Sequence, residues 1–193
     1  MKKKYLIAHH SAESTDKWGD QFALIDGWHK AKGFPISSLG FYVGYMYVIE
    51  KLGEVKRGRE ETEMGAHTVA VGHNYNRDGI GVCFAGNFTV EIPSPEQLRA
   101  WELLGSAIIE RHGIPLENIL NHGDVKNTAC PGYDFASHLK AFIRAHERLH
   151  FAPKFFTYEE QLKRVLKALP RSRGMRKRML ERKRDRLLRL IGV

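Results

Sequence analysis

Short apolar runs alternate with amphipathic segments over most of the chain. Residues 5–8 are apolar and uncharged, which is typical of a buried strand that ends at the histidine pair behind it. Residues 44–50 predict a second strand, and the glycine turn that follows them predicts a hairpin with a short strand around Val55. Residues 79–86 combine glycine with apolar side chains and carry no charge, so they predict another fully buried strand.

Three segments space their apolar side chains by three and four positions, which is the period of an amphipathic helix. They cover residues 16–32, 94–112 and 134–148. The second begins most sharply, because Ser94 can cap the helix, a proline occupies the first helical position and Gln97 completes a capping box. Strands interleaved with helices indicate an α/β domain.

The composition changes after the last of these helices. Residues 151–157 contain a proline and predict a linker, whereas residues 158–169 place apolar side chains along one helical stripe. The chain then ends in 171–193, where ten Lys and Arg residues lie among Leu, Ile and Met. We therefore expect a domain over residues 1–150 and, after the linker, a basic helical extension over residues 158–193.

The charge of the chain is unevenly distributed. There are 31 Lys and Arg against 22 Asp and Glu, a net charge of +9. Residues 154–193 carry a net charge of +10 and residues 1–153 a net charge of −1, so the basic character belongs to the extension. Hydrophobic residues make up 42% of the chain, which excludes wholesale disorder, and no apolar run approaches the ~18 residues of a membrane span.

Cysteine usage and the N-terminal residues bear on the compartment in which the protein is made. Cys83 and Cys130 can form at most one disulfide, and this count fits a reducing compartment or a metal-binding thiolate. Three lysines precede an apolar run of only four residues, too short for the ~7–15-residue apolar segment of a signal peptide. We expect synthesis in the cytoplasm without a signal peptide.

One loop of the domain carries side chains that could hold a metal. His122 and Cys130 lie eight positions apart in a stretch rich in glycine, asparagine and proline, which can fold back so that both face one ion. His9 and His10 follow the first predicted strand and could supply a third ligand. Adjacent strand residues point to opposite faces, so only one of the two can face the loop, and the alternation does not decide which. Two histidines, one cysteine and a water form a catalytic zinc set.

Five short motifs follow one another between residues 4 and 145. They are the segments 9–12 (HHSA), 44–47 (GYMY), 65–67 (GAH), 79–87 (GIGVCFAGN) and 122–132 (HGDVKNTACPG). In this order and approximate spacing they resemble the zinc-dependent type 2 N-acetylmuramoyl-L-alanine amidases, which include phage endolysins and the peptidoglycan recognition proteins. The small phage lysozyme-type amidases are the most similar in general pattern. The resemblance implies a central mixed β-sheet flanked by helices, followed here by the basic helical tail.

The resemblance also implies a role for particular residues. His9, His122 and Cys130 would bind one Zn²⁺ per chain, and the zinc would activate water for hydrolysis of the amide bond between N-acetylmuramic acid and L-alanine. Tyr45 and Thr128 would be the catalytic side chains that stabilise the transition state. Thr128 stands where phage members often have lysine, so a positive charge near the reacting carbonyl is missing. That departure bears on the rate rather than on the reaction.

Three further residues match a variable loop beside the substrate groove of the family. His67, Asn74 and Asn76 would contact glycan or peptide, although a solvated loop histidine is an equally good interpretation of His67. Cys83 is expected to be a small apolar side chain within a buried strand. The remaining histidines on or beside helices are expected to face solvent, and they are His29, His112, His138, His146 and His150.

The leading hypothesis is a peptidoglycan amidase of the endolysin type, from a phage or prophage, which is released to act on the cell wall. One alternative is a non-catalytic peptidoglycan-binding module, but such members of the family typically lose a metal ligand and this set is complete. A second alternative is a regulator that binds nucleic acid or a polymerase through the basic tail. The tail has no interleaved aromatic platform, so we expect 171–193 to bind an anionic membrane or envelope surface instead. We expect a monomer.

Overall fold

The structure is a computed structural model that describes residues 2–14, 20–68 and 73–149, together with residues 166, 167, 177, 181, 184 and 185. The chain divides into two units, Met1–Arg148 and Leu149–Val193. In the second unit the described residues include an ion pair between Arg184 and Asp185, with 2.7 Å between Nη2 and Oδ1. Apart from Leu149 and the six single residues named above, that unit lies outside the described residues. The predicted linker 151–157, His150 and most of the predicted helices over 158–169 and 171–193 lie outside them too.

The first unit alternates strands with helices, as the apolar pattern predicts. In chain order the elements are β1 (Tyr5–His10), α1 (Gln21–Ala31), β2 (Tyr47–Ile49), β3 (Val55–Arg57), α2 (Tyr75–Asp78), β4 (Gly79–Phe84), α3 (Pro95–His112), a 3-10 turn (Leu116–Asn118), β5 (Ile119–Asn121), α4 (His122–Val125) and α5 (Phe135–Leu149). The α/β prediction is confirmed. Within the described part of the chain, no helix is both long enough and apolar enough to cross a membrane.

The five strands form one mixed sheet in the order β3-β2-β4-β1-β5. β1 is parallel to β4 and to β5, and β2 is parallel to β4, whereas β3 at the edge is antiparallel to β2. β1 lies between β4 and β5, with His9 in register with Cys83 of β4 and Ala8 in register with Asn121 of β5. Because these strands are parallel, their carboxyl ends lie at one edge of the sheet. His9 and His10 at the end of β1 therefore lie close to His122, which directly follows β5.

Helices α3 and α5 cover one face of the sheet. The larger hydrophobic core lies there and includes Leu6 and Ala8 of β1, Trp101 of α3 and Phe135 of α5, all fully buried. Trp101 satisfies its indole N–H by donating to the carbonyl oxygen of Phe135 at 2.9 Å. The start of α3 is fixed by the predicted capping box, in which the Ser94 side chain accepts from the backbone at the third helical position.

Helix α1 covers the opposite face with a smaller core. Phe22 and Ile25 of α1 pack there with buried side chains of the sheet, and Tyr45 lies against this cluster. Side chains alternate along β1, so the residues next to Leu6 and Ala8 point toward the α1 face. His9 is therefore directed to the α1 face, and His10 to the face that α3 and α5 cover.

Candidate metal centre and active site

Three of the predicted ligands converge at the carboxyl edge of the sheet. His9 lies near the end of β1, His122 begins α4 directly after β5, and Cys130 lies in the following loop. Their potential ligand atoms all lie within 4.8 Å of one another, and the ring centroids of His9 and His122 are 4.4 Å apart. His10 does not join this group, because its Nδ1 accepts the backbone N–H of Phe88 at 3.3 Å. The geometry thus selects His9 of the adjacent pair.

The loop after α4 folds back onto β1 through backbone contacts. The N–H of Gly123 donates to the carbonyl oxygen of Cys130 at 2.7 Å, which closes the loop. A Cβ at Gly123 would lie 3.1 Å from the carbonyl oxygen of Thr128, so the start and the end of the loop approach closely there. The backbone N–H of His10 donates to the Cys130 sulfur at 3.4 Å. Cys130 is therefore held against the end of β1 by groups that are not themselves ligands.

The protonation states suit metal binding. Burial, with smaller effects from His67 and His122, lowers the pKa of His9 well below its usual value. Burial and the nearby Lys126 lower the pKa of His122 to about 4. Both imidazoles are therefore neutral near pH 7 and each has one lone pair to offer a cation. Burial raises the pKa of the Cys130 thiol to about 11, so in the absence of a cation it keeps its proton.

Tyr45 lies beside this group, just before β2. Its ring centroid is 5.1 Å from that of His9. Burial, reinforced by the Cys83 and Cys130 thiols, raises the pKa of Tyr45 well above its usual value. The phenol therefore remains protonated across the physiological pH range and can act as a hydrogen-bond donor.

The sequence model of one family, described as N-acetylmuramoyl-L-alanine amidase (Amidase_2), matches residues 1–133. The chain belongs to this family. It is 32% identical over 127 residues to the endolysin of Enterobacteria phage K11, covering 60% of this chain and 72% of the relative. It is 29% identical over 140 residues to peptidoglycan-recognition protein SC2 of Drosophila melanogaster, covering 72% and 73%.

Solved structures agree with the assignment to Amidase_2. The N-acetylmuramoyl-L-alanine amidase LysC from Clostridium intestinale URNW superposes with a TM-score of 0.61 at 28% sequence identity, covering 75% of this chain and 87% of LysC. The fold predicted from the resemblance, a mixed sheet with flanking helices, is therefore confirmed.

The predicted site residues Thr128, Asn74 and Asn76 of this Amidase_2 domain each accept a hydrogen bond from the nearby backbone. Thr128 is exposed, and its Oγ1 accepts the backbone N–H of Cys130 at 3.3 Å. Asn74 caps α2 by accepting the backbone N–H of Arg77 at 3.0 Å. Asn76 Oδ1 accepts the backbone N–H of His67 at 2.8 Å. Both asparagines thus shape the local backbone, and their predicted contact with substrate stays a prediction.

His67 does not lie in solvent. Only 7% of the residue is exposed, and its Nδ1 lies 3.0 Å from Nε2 of His9. Burial lowers the pKa of His67 to about 3, so the ring is neutral. The interpretation of His67 as a solvated loop histidine is therefore wrong. The contact with His9 was not predicted, because the two residues lie 58 positions apart and no local pattern joins them.

His29 of α1 was also predicted to face solvent, and this prediction is wrong. Its Nδ1 accepts the backbone N–H of Gly44 at 2.9 Å, its ring stacks on Phe34 with centroids 4.3 Å apart, and its centroid lies 5.6 Å from that of Tyr45. His29 therefore supports the segment that carries the candidate catalytic tyrosine. The spacing from Phe22 and Ile25 by seven and four positions was a usable signal that the ring lies on the packed side of α1.

His112 and His138 likewise contact carboxylates instead of facing solvent. Nε2 of His112 lies 2.7 Å from Glu61 Oε2, and Nε2 of His138 lies 2.9 Å from Glu102 Oε1. His146 is exposed, as predicted. Periodicity could not predict the contacts of His112 and His138, because each carboxylate lies far from its histidine in the sequence.

Proposed function

We propose that this chain is a zinc-dependent N-acetylmuramoyl-L-alanine amidase that hydrolyses the amide bond between N-acetylmuramic acid and L-alanine in peptidoglycan. The observation that carries the proposal is the approach of His9, His122 and Cys130 ligand atoms to within 4.8 Å of one another. They do so beside a protonated tyrosine in a chain of the amidase family. Similarity to the phage K11 endolysin supports a phage or prophage endolysin as the biological role.

The donor set fits zinc of the catalytic kind. Two imidazoles and one thiolate are a known combination that leaves a fourth position open, whereas structural zinc sites have four protein ligands. Nε2 of His122 is buried and has no hydrogen-bond partner among the described residues, which is costly unless a further ligand such as a metal satisfies it. When bound, zinc supplies a Lewis acid that polarises a carbonyl and makes water a nucleophile near neutral pH.

The side chains around the metal ligands provide hydrogen bonds for the transition state. Tyr45 keeps its proton because burial raises its pKa, so its hydroxyl can donate to the amide carbonyl oxygen as negative charge develops there. Thr128 is exposed, and its Oγ1 accepts from Cys130 N–H, which leaves its hydroxyl proton available for the same oxygen. Both donors are neutral, so we expect them to stabilise the transition state without the positive charge that a lysine would bring.

The proposal is tested by digesting purified peptidoglycan and analysing the soluble products by mass spectrometry. We expect free stem peptides that begin with L-alanine, no products after treatment with a chelator, and recovery of the products when Zn²⁺ is added back. Binding to peptidoglycan without release of peptides would contradict the proposal in favour of a non-catalytic binding module. New reducing sugar ends without free peptides would indicate cleavage of the glycan instead.

Removal of the Tyr45 hydroxyl tests the role of the tyrosine. In the Tyr45→Phe variant we expect kcat to fall by ~10²–10³-fold, the loss typical of one transition-state hydrogen-bond donor, while the zinc content stays that of the wild type. The matched control is Tyr42→Phe, a half-buried tyrosine three positions earlier, for which we expect wild-type kcat. A Tyr45→Phe variant with more than a third of wild-type kcat would exclude the hydroxyl from catalysis.

The proposal extends to where the protein acts. We propose that it is made in the cytoplasm, acts on the cell wall after release, and works as a monomer. The basic segment 171–193 would hold it against an anionic envelope surface, a role that rests on the +10 net charge of residues 154–193. This segment lies almost entirely outside the described residues.

A further inference from the structure

The His67 ring is enclosed on the α1 face of the sheet by two glycines. A Cβ at Gly81 of β4 would lie 2.6 Å from Cγ of His67, and a Cβ at Gly65 would lie 2.5 Å from Cδ2 of His67. Real side chains do not approach so closely. Because both positions are glycine, the imidazole can occupy space that a larger side chain at either position would fill. The ring lies directly beside His9, with 3.0 Å between Nδ1 of His67 and Nε2 of His9.

The segment that carries His67 is fixed by the backbone of its neighbours. Asn76 Oδ1 accepts the N–H groups of both His67 and Thr68, at 2.8 and 3.0 Å. The N–H of Gly65 donates to the carbonyl oxygen of Asn76, and that of Ala66 donates to the carbonyl oxygen of Gly44, at 2.7 and 2.8 Å. The backbone that carries His67 is therefore fixed by hydrogen bonds in which no metal ligand takes part.

The hydrogen bond between the two rings has a chemical consequence for His9. In a pair of neutral imidazoles, one nitrogen must donate and the other accept. If Nε2 of His9 carries the proton and donates to His67, the Nδ1 of His9 has the lone pair that a metal needs. The opposite arrangement places the proton on Nδ1 of His9 and prevents that nitrogen from binding a cation. Metal-binding histidines commonly have their second ring nitrogen fixed by such a partner.

We propose that His67 is a positioning residue of the metal centre. Its Nδ1 accepts the Nε2–H of His9, and this fixes the tautomer and the ring orientation in which Nδ1 of His9 is offered to the ion. The inference rests on the proposed function in that it takes His9, His122 and Cys130 as the metal site. In this role His67 orients His9 before any substrate binds, and it need not contact glycan or peptide.

The test compares two substitutions of His67 by their effect on zinc affinity, measured by competition with a chromophoric chelator in the full-length chain. His67→Leu removes the acceptor, and we expect zinc binding to weaken by ~10–100-fold. His67→Asn keeps an oxygen near the position of Nδ1, so we expect its affinity to stay within about threefold of the wild type. The matched control is His73→Leu, because His73 is exposed, and wild-type affinity is expected.

The tautomer of His9 provides a second readout that a general packing defect would not reproduce. Nitrogen-15 NMR of the metal-free protein should show the proton of His9 on Nε2 in the wild type and in His67→Asn. In His67→Leu we expect a mixture of both tautomers. If His67→Leu fails to fold, Gly81→Ala replaces it, since the added methyl group displaces the ring while every imidazole is kept, and we expect weaker zinc binding from it too.

Several outcomes would overturn the inference. They are wild-type zinc affinity in a folded His67→Leu or Gly81→Ala variant, an affinity of His67→Asn as low as that of His67→Leu, or a wild-type His9 protonated on Nδ1. A raised KM at unchanged zinc affinity would make His67 a substrate contact and also overturn it. Tight zinc binding that depends on His67, without release of stem peptides from peptidoglycan, would contradict the proposed function while the positioning role stands.

Discussion

The Cys130→Ser variant is expected to retain no zinc after dialysis and to hydrolyse peptidoglycan at least ~10³-fold more slowly than the wild type. The thiol of Cys130 has its pKa raised to about 11 by burial, so it becomes a thiolate only in the presence of a cation. A serine hydroxyl is far less acidic, and two imidazoles alone do not complete the set. The substitution is nearly isosteric, so the fold should persist.

Metal analysis of the dialysed protein, with circular dichroism to verify folding, measures this effect. Cys83→Ala is the matched control, because Cys83 is the other cysteine of the chain, is fully buried in β4 and lies outside the cluster of ligand atoms. We expect one zinc per chain in that control. Stoichiometric zinc in Cys130→Ser would contradict the assignment of Cys130 as a ligand.

The metal-free protein is expected to lose stability steeply as the pH falls from 6 to 5. Burial keeps His9 and His67 neutral in the folded state, with the pKa of His67 lowered to about 3 and that of His9 well below its usual value. The pKa values of His122 and His29 are likewise lowered to about 4 in the folded state. In the unfolded chain these four histidines titrate near pH ~6.5, so between pH 6 and 5 the unfolded state binds about three to four more protons. The free energy of unfolding should then fall by ~4–5 kcal/mol per pH unit.

Urea unfolding in the presence of a chelator, at pH 7.5, 6.0, 5.5 and 5.0, would measure this slope. The window lies above the pKa of ordinary carboxyl groups, so that the histidines dominate it. The His67→Asn variant has one buried imidazole fewer and should show a slope smaller by about one proton, ~1.4 kcal/mol per pH unit. Equal stability at pH 7.5 and pH 5.0 would show that the buried histidines take up protons without unfolding.

Local signals in the sequence were sufficient for much of the fold. Helix α3 begins at Pro95 because Ser94 and Gln97 form the capping box within a few residues of chain, and such a signal does not depend on the rest of the molecule. The buried strand β4 was equally clear from its uncharged residues. The resemblance favoured His9 over His10, but the alternation along the strand could not decide between them, because only the packing of α1 and α3 on opposite faces tells which histidine faces the loop.

Contacts between distant segments could not be predicted in this way. The pairing of His67 with His9 depends on the β4 glycine beneath the ring, and nothing in the sequence near His67 indicates that its backbone folds over β4. The contact of His112 with Glu61 has the same origin, since the two residues are 51 positions apart. The three side chains that converge could therefore be named from the sequence, whereas the groups that hold them in place were found only in the folded chain.

The distance along the chain between the metal ligands has a consequence for biosynthesis. His9 is made early and Cys130 late, so a cation bound to both would close a loop of about 120 residues, an entropic constraint on the unfolded chain similar to a disulfide over that span, ~4–5 kcal/mol. A nascent chain has no complete ligand set until Cys130 has left the ribosome. A chain that ends before Cys130 is therefore expected to hold no zinc at this site.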